Sequence, residues 1–192
     1  PMTDTLNLLK TRRSIPAVNI GEPGPSDAQI GELLTIAARV PDHGKLVPWR
    51  FILFRGAARQ AAGEATAALL ARRRPDADPK LIEGERARFT RSPLVIAVVS
   101  RAAPHVKIPE WEQLLSGAAA AMNLVVAANA MGFAAQWLTE WVTYDEEARA
   151  LLGLKAEERL IGLIHIGTPD VPPFERARPD LAEIVSEWQP PA

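Results

Sequence analysis

The spacing of apolar residues predicts a short helix at the start of the chain. Leu6, Leu8 and Leu9 make an apolar stripe, and Thr3 or Asp4 before it is of the residue type that caps a helix. The chain then enters the basic residues that follow position 11. We therefore expect a short helix that ends in cations.

Three further helices are predicted in the first half of the chain. Ser26 and Gln29 have the spacing of a capping box, and the apolar positions over 30–38 repeat with a helical period. Residues 57–73 are rich in alanine with polar residues between, which is typical of a surface helix. A shorter helix is expected around 81–88.

Four segments have the composition of β-strands. Residues 49–55 are aromatic and β-branched and follow Pro48, where a strand can begin. Residues 94–100 form a continuous apolar run, which predicts a strand inside the sheet with both faces covered. Residues 133–138 and 159–167 are the other two candidates, and we expect the second to end in a Gly-Thr-Pro turn.

The longest uncharged stretch, from Leu114 to Thr139, predicts a buried central helix. Its polar residues, its glycines and its high alanine content argue against a membrane span. Pro109 would lie in the first turn and Gly132 would cap the end. Because the helix is apolar nearly all round, more than one neighbour must enclose it, either within one subunit or across a dimer interface.

The order of these elements predicts the fold class. Thr143 and Glu146 have the spacing of a second capping box, which would open a short helix that Gly153 ends. Strands separated by helices, without an internal repeat, favour an α+β fold with layers of helix, sheet and helix. No linker divides the chain, so we expect a single domain over residues 1–192.

Composition and absent motifs exclude several classes of function. The chain has 22 Lys and Arg against 23 Asp and Glu, a formal net charge of -1, and no cysteine. This charge argues against binding nucleic acid, and the lack of thiols means that redox chemistry needs a cofactor. Phosphate-loop, dinucleotide and hydrolase motifs are absent, and the separated histidines predict no metal site. The chain shows no secretory signal, so we expect a cytoplasmic protein that binds no membrane.

Two basic clusters near opposite ends of the chain are candidates for anion binding. Arg12, Arg13 and Ser14 supply two guanidinium groups and a hydroxyl, a combination suited to a phosphate monoester. Arg176 and Arg178 would project to the same side of an extended segment. The alternative for each cluster is ordinary surface charge.

The loop over residues 41–49 is a third candidate, because loops between a helix and a strand often carry ligand contacts. His43 can donate or accept a hydrogen bond, and Lys45 can stabilise a negative charge that develops on a ligand. The alternatives are a loop histidine that bonds a neighbouring carbonyl and a solvent-exposed lysine.

Taken together, these motifs resemble the nitroreductase family, and in particular its compact, YdjA-like branch. The resemblance implies an α+β fold with a central, mostly antiparallel sheet, an intertwined homodimer, and one FMN in each of two clefts at the subunit interface. The matching segments are Arg-Arg-Ser at 12–14, the proline loop with Trp-Arg-Phe at 41–51, the alanine-rich helix ending in Met-Gly-Phe at 131–133, Trp-Leu-Thr at 137–139, Ile-Gly-Thr-Pro at 166–169 and the basic segment at 176–185.

The resemblance also implies which residues hold the cofactor phosphate. Arg12, Arg13 and Ser14 match the group that binds the FMN phosphate and ribityl chain. Arg176 and Arg178 match a late basic pair that closes on the same phosphate in the wider family.

Other residues are implied to surround the flavin ring. Trp137, Leu138 and Thr139 would line the isoalloxazine, partly through backbone amides, and Arg39 and His43 would approach the flavin that takes its Arg-Arg-Ser group from the other subunit. Leu138 departs from the arginine of the compact branch. Many relatives have Ser, Asn and Gln in the loop, where this chain has Asp42, Lys45 and Val47.

The function implied is that of an FMN-dependent NAD(P)H oxidoreductase. It would reduce a small organic acceptor, such as a nitroaromatic or a quinone, by a ping-pong mechanism with NADH or NADPH as electron donor. Two alternatives stay open. One is a flavin-binding carrier or sensor without turnover, and the other is a small dimeric interaction protein whose basic clusters are only surface charge.

Overall fold

The computed structural model describes residues 2–191, with side chains from residue 4 onward. Within that range, five strands form one sheet with helices on both faces. The helices are α1 (Met2–Thr11), α2 (Asp27–Ala37), α3 (Ala57–Arg73), α4 (Pro79–Arg86), α5 (Glu110–Ala130), α6 (Glu146–Leu151) and α7 (Leu181–Ile184). The strands are β1 (Ile20–Gly21), β2 (Trp49–Arg55), β3 (Leu94–Ser100), β4 (Ala134–Leu138) and β5 (Arg159–Pro169).

Strand β5 is the organising strand of the sheet. It pairs antiparallel with β1, β3 and β4, and β3 pairs antiparallel with β2. The register places Trp137 of β4 opposite Ile164, so the end of β4 lies beside the middle of β5. The predicted α+β fold with a mostly antiparallel sheet is confirmed.

Strand β3 is buried at every position, as its continuous apolar run predicts. Leu94, Ile96 and Val98 face the layer that contains α2 and α5. Val95 and Val99 face the opposite layer, which contains α3 and α6. Because both faces are covered by helices, the strand is apolar up to its last residue, Ser100.

The capping box of α2 is confirmed, but the predicted cap of α1 is wrong. Ser26 Oγ accepts the backbone N–H of Gln29 at 3.3 Å, and Gln29 Oε1 accepts that of Ser26 at 2.9 Å. Helix α1 begins at Met2, so Thr3 and Asp4 lie inside its first turn, and the side chain of Thr3 is outside the described residues. The carboxylate of Asp4 still lies near the positive pole of the helix dipole.

The predicted capping box at Thr143 and Glu146 is also wrong. Helix α6 begins after Asp145, whose Oδ1 accepts the N–H of the residue three positions on at 2.9 Å. The Thr143 hydroxyl instead donates to the carbonyl of Thr139. Gly153, with φ of 90°, lies just past the end of the helix as predicted.

Strand β5 is longer than its apolar pattern predicts. The segment expected to turn, Gly167 to Pro169, continues the strand because it pairs with β1, where Ile20 lies opposite Pro169. Two residues of β1 are too short a segment to be recognised from composition, so the pairing becomes visible only in the folded chain.

Helix α5 follows Pro109 and ends before Gly132, which has φ of 86°. It packs on α2 and on the sheet, and Ala121, Leu124 and Ala128 are fully buried. By length and composition alone it is the one helix among residues 2–191 that could cross a membrane. Its packed side instead forms part of the core.

Close packing of α3 on α4 requires glycine at position 63. A Cβ there would lie 2.0 Å from the backbone oxygen of Arg86. We expect Gly63→Ala to lower the free energy of unfolding by roughly 2 kcal/mol through overpacking. The matched control is Gly84→Ala in α4, where a Cβ meets nothing within 4 Å, and which we expect to stabilise by about 0.5–1 kcal/mol. Urea denaturation measures both, and equal effects would contradict this account.

His165 on β5 is fully buried. Its Nδ1 lies 2.9 Å from Ser92 Oγ, and that hydroxyl donates to the carbonyl of Leu94, so Nδ1 carries the imidazole proton. Nε2 has no hydrogen-bond partner among the described residues. Burial and, to a smaller extent, the charge of Arg91 lower the pKa of His165 to about 4, and the opposing effect of Glu140 is smaller than either. The imidazole is therefore neutral in the folded protein at neutral pH.

This depressed pKa makes stability depend on pH. The unfolded chain binds the proton below about pH 6.5 and the folded protein only below about pH 4, so acid favours unfolding between these values. We expect the free energy of unfolding to fall by about 3 kcal/mol across this range from His165 alone. Urea titrations at several pH values measure the slope. It should become shallower in His165→Gln, which removes the buried imidazole.

Candidate functional site

The Arg-Arg-Ser cluster lies directly after α1. The N–H of Arg12 donates to the carbonyl of Leu8 at 2.8 Å and extends the last helical turn. Arg12, Arg13 and Ser14 are all half-buried. The predicted helix that ends in cations is confirmed.

The chain after this cluster is fastened to the start of β4. The N–H of Ala17 donates to Gln136 Oε1 at 2.6 Å. Ile15 and Ile20 pack with Ala134 in a small buried cluster. The Arg-Arg-Ser cluster therefore lies on the side of the fold from which β4 begins.

The C-terminal segment approaches the same cluster. Arg13 Nε donates to the carbonyl of Phe174 at 2.5 Å and lies 3.9 Å from Glu175 Oε1. Arg178 Nη2 lies 3.4 Å from that same oxygen. Arg176 is exposed, and its backbone N–H also donates to it at 2.9 Å. The structure thus brings basic residues of both termini together around one carboxylate, whose pKa is lowered first by the Arg176 N–H.

The Trp-Leu-Thr segment lies at the end of β4. Trp137, Leu138 and Thr139 are half-buried, and Trp137 Nε1 donates to the carbonyl of Ile161 at 3.2 Å. Trp137 also packs against the core layer of α2 and α5. These three side chains are therefore partly exposed, while the strand that carries them is fixed by its pairing with β5.

The loop with Arg39 and His43 packs on the first half of α5. His43 Nδ1 lies 2.6 Å from Glu112 Oε2. Ser116 Oγ donates to the carbonyl of Pro41 at 2.6 Å, and Asn123 Nδ2 donates to that of Arg39 at 3.1 Å. The side chains of Arg39 and His43 stay exposed. A cleft of about 340 Å³ lies against the loop, lined by Pro41, His43, Glu112, Leu115, Ser116 and Ala119.

The backbone of this loop is strained, and two charged side chains hold it in place through hydrogen bonds. Lys45 and Val47 have φ of 54° and 48°, values that side chains with a Cβ seldom adopt. Asp42 accepts the N–H groups of Leu46 and Val47 at 3.0 and 2.9 Å, and Arg101 Nη2 donates to the carbonyl of Val47 at 2.7 Å. Asp42 thus shapes the loop, a role that its sequence position alone does not reveal.

The predicted site residues form two groups rather than one. The loop packs on α5 near Glu112, whereas Asn7 and Leu8 of α1 line a groove with Asn129 near the other end of α5. Glu112 and Asn129 lie about 25 Å apart along the helix at roughly 1.5 Å per residue. One chain therefore keeps His43 away from the end of α5 on which α1 lies, whereas Arg39, whose carbonyl accepts from Asn123, lies between the two.

One side of α5 is uncovered in the single chain. Trp111, Leu115 and Met122 are 66%, 48% and 39% exposed on that side. Phe174 and Trp188 of the C-terminal segment are 78% and 81% exposed. The chain by itself encloses α5 only in part.

Sequence analysis did not identify a cluster of ion pairs beside the Trp-Leu-Thr segment. Arg88 and Arg91 both pair with Glu140, which directly follows Thr139, and Arg88 also pairs with Glu85. The i, i+3 spacing of Glu85 and Arg88 is a signal for a local pair. The link to Glu140 spans about fifty residues and has no counterpart in the local sequence pattern.

The chain is similar to proteins of known family. It matches the nitroreductase family over residues 9–168. It is 34% identical over 170 residues to "Putative NAD(P)H nitroreductase YdjA" of Escherichia coli K12, covering 88% of this chain and 90% of that protein. A nitroreductase-like family protein of Bacillus cereus has a TM-score of 0.80 at 24% identity, with 95% of each chain covered. A nitroreductase with bound FMN from Bacteroides fragilis has a TM-score of 0.70 at 18% identity, covering 97% of this chain and 99% of that one.

The structural matches show a shared fold, with helices on both faces of the antiparallel sheet. The match to the family over most of the chain, together with the names of the similar proteins, supports an oxidoreductase. The resemblance noted in the sequence is thereby confirmed. This chain belongs to the nitroreductase family.

Proposed function

We propose that this protein is an FMN-dependent oxidoreductase that takes electrons from NADH or NADPH and reduces a small organic acceptor. The similar Escherichia coli protein is named as an NAD(P)H nitroreductase, and the similar fold from Bacteroides fragilis is described with bound FMN. Both names support this function. A nitroaromatic or a quinone is the class of acceptor that we infer.

The observation that carries the proposal is the meeting of the two basic ends of the chain. Arg13 and Arg178 approach the single carboxylate of Glu175, and Arg12 and Ser14 are adjacent in the chain. Guanidinium groups bind phosphate through paired, charge-assisted hydrogen bonds. A phosphate monoester carries more charge than one carboxylate, so it competes well with Glu175 for these donors. The donor set fits the phosphate of FMN.

Other residues would surround the flavin ring. When bound, FMN supplies the redox chemistry, which is hydride uptake from the nicotinamide and electron transfer to the acceptor. Trp137, Leu138 and Thr139 line the ring, and His43 or Lys45 places a donor where negative charge develops. With Leu138 the cleft has an apolar residue at that position. We infer a ping-pong mechanism, in which donor and acceptor use one open face in turn.

We propose that a second copy of the chain completes each cleft. Arg39 and His43 of one subunit would meet Arg12–Ser14 of the other, since one chain holds His43 near the start of α5 and α1 near its end. An interface over the exposed side of α5, with the C-terminal segment against it, would also bury Trp111 and other apolar residues. We further propose a cytoplasmic location for this homodimer.

Removal of two phosphate-binding arginines should weaken cofactor binding. We expect Arg12→Ala/Arg178→Ala to raise the Kd for FMN by roughly tenfold or more, because each charge-assisted hydrogen bond contributes about 1.5–3 kcal/mol. Quenching of flavin fluorescence on titration with apoprotein measures this Kd. Arg74→Ala removes an exposed arginine just after α3 and should leave the Kd unchanged. An unchanged Kd in the double variant would contradict the phosphate assignment.

Anaerobic reduction distinguishes the enzyme from the alternatives. For an enzyme, NADH or NADPH bleaches the yellow protein and an added acceptor restores the colour. A yellow protein that neither nucleotide bleaches would be a carrier or sensor. A colourless protein whose melting temperature FMN does not raise would contradict flavin binding altogether.

Subunit mixing tests whether each cleft is shared. Arg12→Ala/Arg178→Ala subunits and Arg39→Ala/His43→Ala subunits should each be inactive as homodimers. Refolding them together in equal amounts is expected to restore about one quarter of the wild-type sites, because half of the dimers are mixed and each has one intact cleft. FMN titration and NADPH oxidation measure the recovery. Recovery no greater than the sum of the two homodimers would contradict the shared cleft.

A further inference from the structure

The residue after the Trp-Leu-Thr segment has a backbone conformation that normally requires glycine. Glu140 has φ of 50° and ψ of -179°, a region almost closed to residues with a Cβ. It directly follows Thr139, so its conformation sets the direction in which the chain leaves β4. Such strain persists only where the surrounding structure enforces it, and it concentrates at functional sites.

Two arginines hold the side chain of this residue. Arg88 Nη1 forms an ion pair with Glu140 Oε2. Arg91 Nη1 donates to Oε1 at 3.0 Å and lies 3.3 Å from Oε2. The side chains of Arg88 and Arg91 are only 6% and 22% exposed, so water competes little for these contacts.

A second carboxylate anchors the first arginine. Glu85, which is buried, accepts from Arg88 Nε at 2.8 Å and from Trp141 Nε1 at 2.8 Å. Burial raises the pKa of Glu85, but the hydrogen bonds from Arg88 and Trp141 outweigh it and lower the pKa below its usual value. We call Glu85, Arg88, Arg91 and Glu140 the Glu140 clamp. It holds the side chain of Glu140 and also that of the next residue.

The peptide before Glu140 is held from its other side. The Thr143 hydroxyl donates to the carbonyl of Thr139. Because a trans peptide is planar, the N–H of Glu140 points away from that carbonyl. The clamp and this hydrogen bond together determine the orientation of the peptide between Thr139 and Glu140.

We propose that Glu140 is a positioning residue for the flavin. The Glu140 clamp holds Trp137–Thr139 in the orientation that fits the isoalloxazine ring, and it acts through that backbone without touching the cofactor. The inference rests on the proposed function, because the segment has this task only if FMN binds there. Glycine would adopt the same backbone angles without strain. The contribution of the glutamate is therefore the ion pairs that its carboxylate forms with Arg88 and Arg91.

The experiment compares Glu140→Gly and Glu140→Gln with wild type. Glu140→Gly removes both the strain and these ion pairs, whereas Glu140→Gln keeps the shape of the side chain and removes its charge. The matched control is Glu147→Gln, because Glu147 in α6 also pairs with two arginines, Arg72 and Arg73, which belong to α3. The measurements are the Kd for FMN, the visible spectrum of the bound flavin, and the melting temperature of the apoprotein.

We expect Glu140→Gly to raise the Kd for FMN by about five- to tenfold, with a smaller rise in Glu140→Gln. The absorption bands of the bound flavin should shift, while the apoproteins melt within a few degrees of wild type. Glu147→Gln should match wild type in Kd and spectrum. If Glu140→Gly fails to fold, Arg91→Ala replaces it, and Arg91→Lys should recover part of the lost affinity.

Two results would overturn the inference in different ways. If wild type binds FMN and the Glu140 and Arg91 variants bind it with the same Kd and spectrum, the clamp serves stability alone and the proposed function stands. If wild type binds no FMN, the proposed function fails and the inference fails with it.

Discussion

The long helix α5 constrains where the core and the candidate site residues lie in this fold. Its buried side, with Leu124 and Ala128, closes one face of the core. The loop around His43 packs on the first turns of α5, and α1 packs near its last turns. The helix therefore holds His43 and the end of α1 apart. The proposed cleft, which uses both groups, would draw on two chains. The exposed apolar side of the same helix supplies a reason for two chains to associate.

Charged groups in this protein have two distinct tasks. Arg13 and Arg178, which are half-buried and exposed respectively, share one carboxylate, which leaves them able to bind an anion. Other ion pairs are buried and hold the backbone. Glu158, almost fully buried, accepts from Arg50 at 2.7 Å, and this bond lowers the pKa of Glu158 to about 2. The Glu140 clamp belongs to this second kind, although it lies beside a candidate ligand site.

The elements that were predicted correctly depend on local patterns. The run from Leu94 to Val99 is apolar and lies in a strand covered on both faces, and the uncharged stretch before Gly132 is the central helix. One error arose because distant segments decided the outcome. The Gly-Thr-Pro segment stays extended because β4 and β1 pair with it, and a local pattern cannot show pairing whose energy comes from tertiary contacts. Another error is local, because Thr143 bonds the carbonyl of Thr139 and Asp145 caps α6 in its place.

The sequence by itself determined the fold class, which follows from hydrophobic periodicity, and the family, which follows from a resemblance carried by short motifs. The same resemblance implies most of the candidate site residues. Only the tertiary structure decided which of those residues come together. It brought Arg13 and Arg178 to the carboxylate of Glu175, held His43 beside Glu112 at the start of α5, and paired Glu140 with two arginines from another segment. The physical reason is that hydrogen bonds and ion pairs depend on distances of a few ångströms in space, whereas sequence patterns report only distances along the chain.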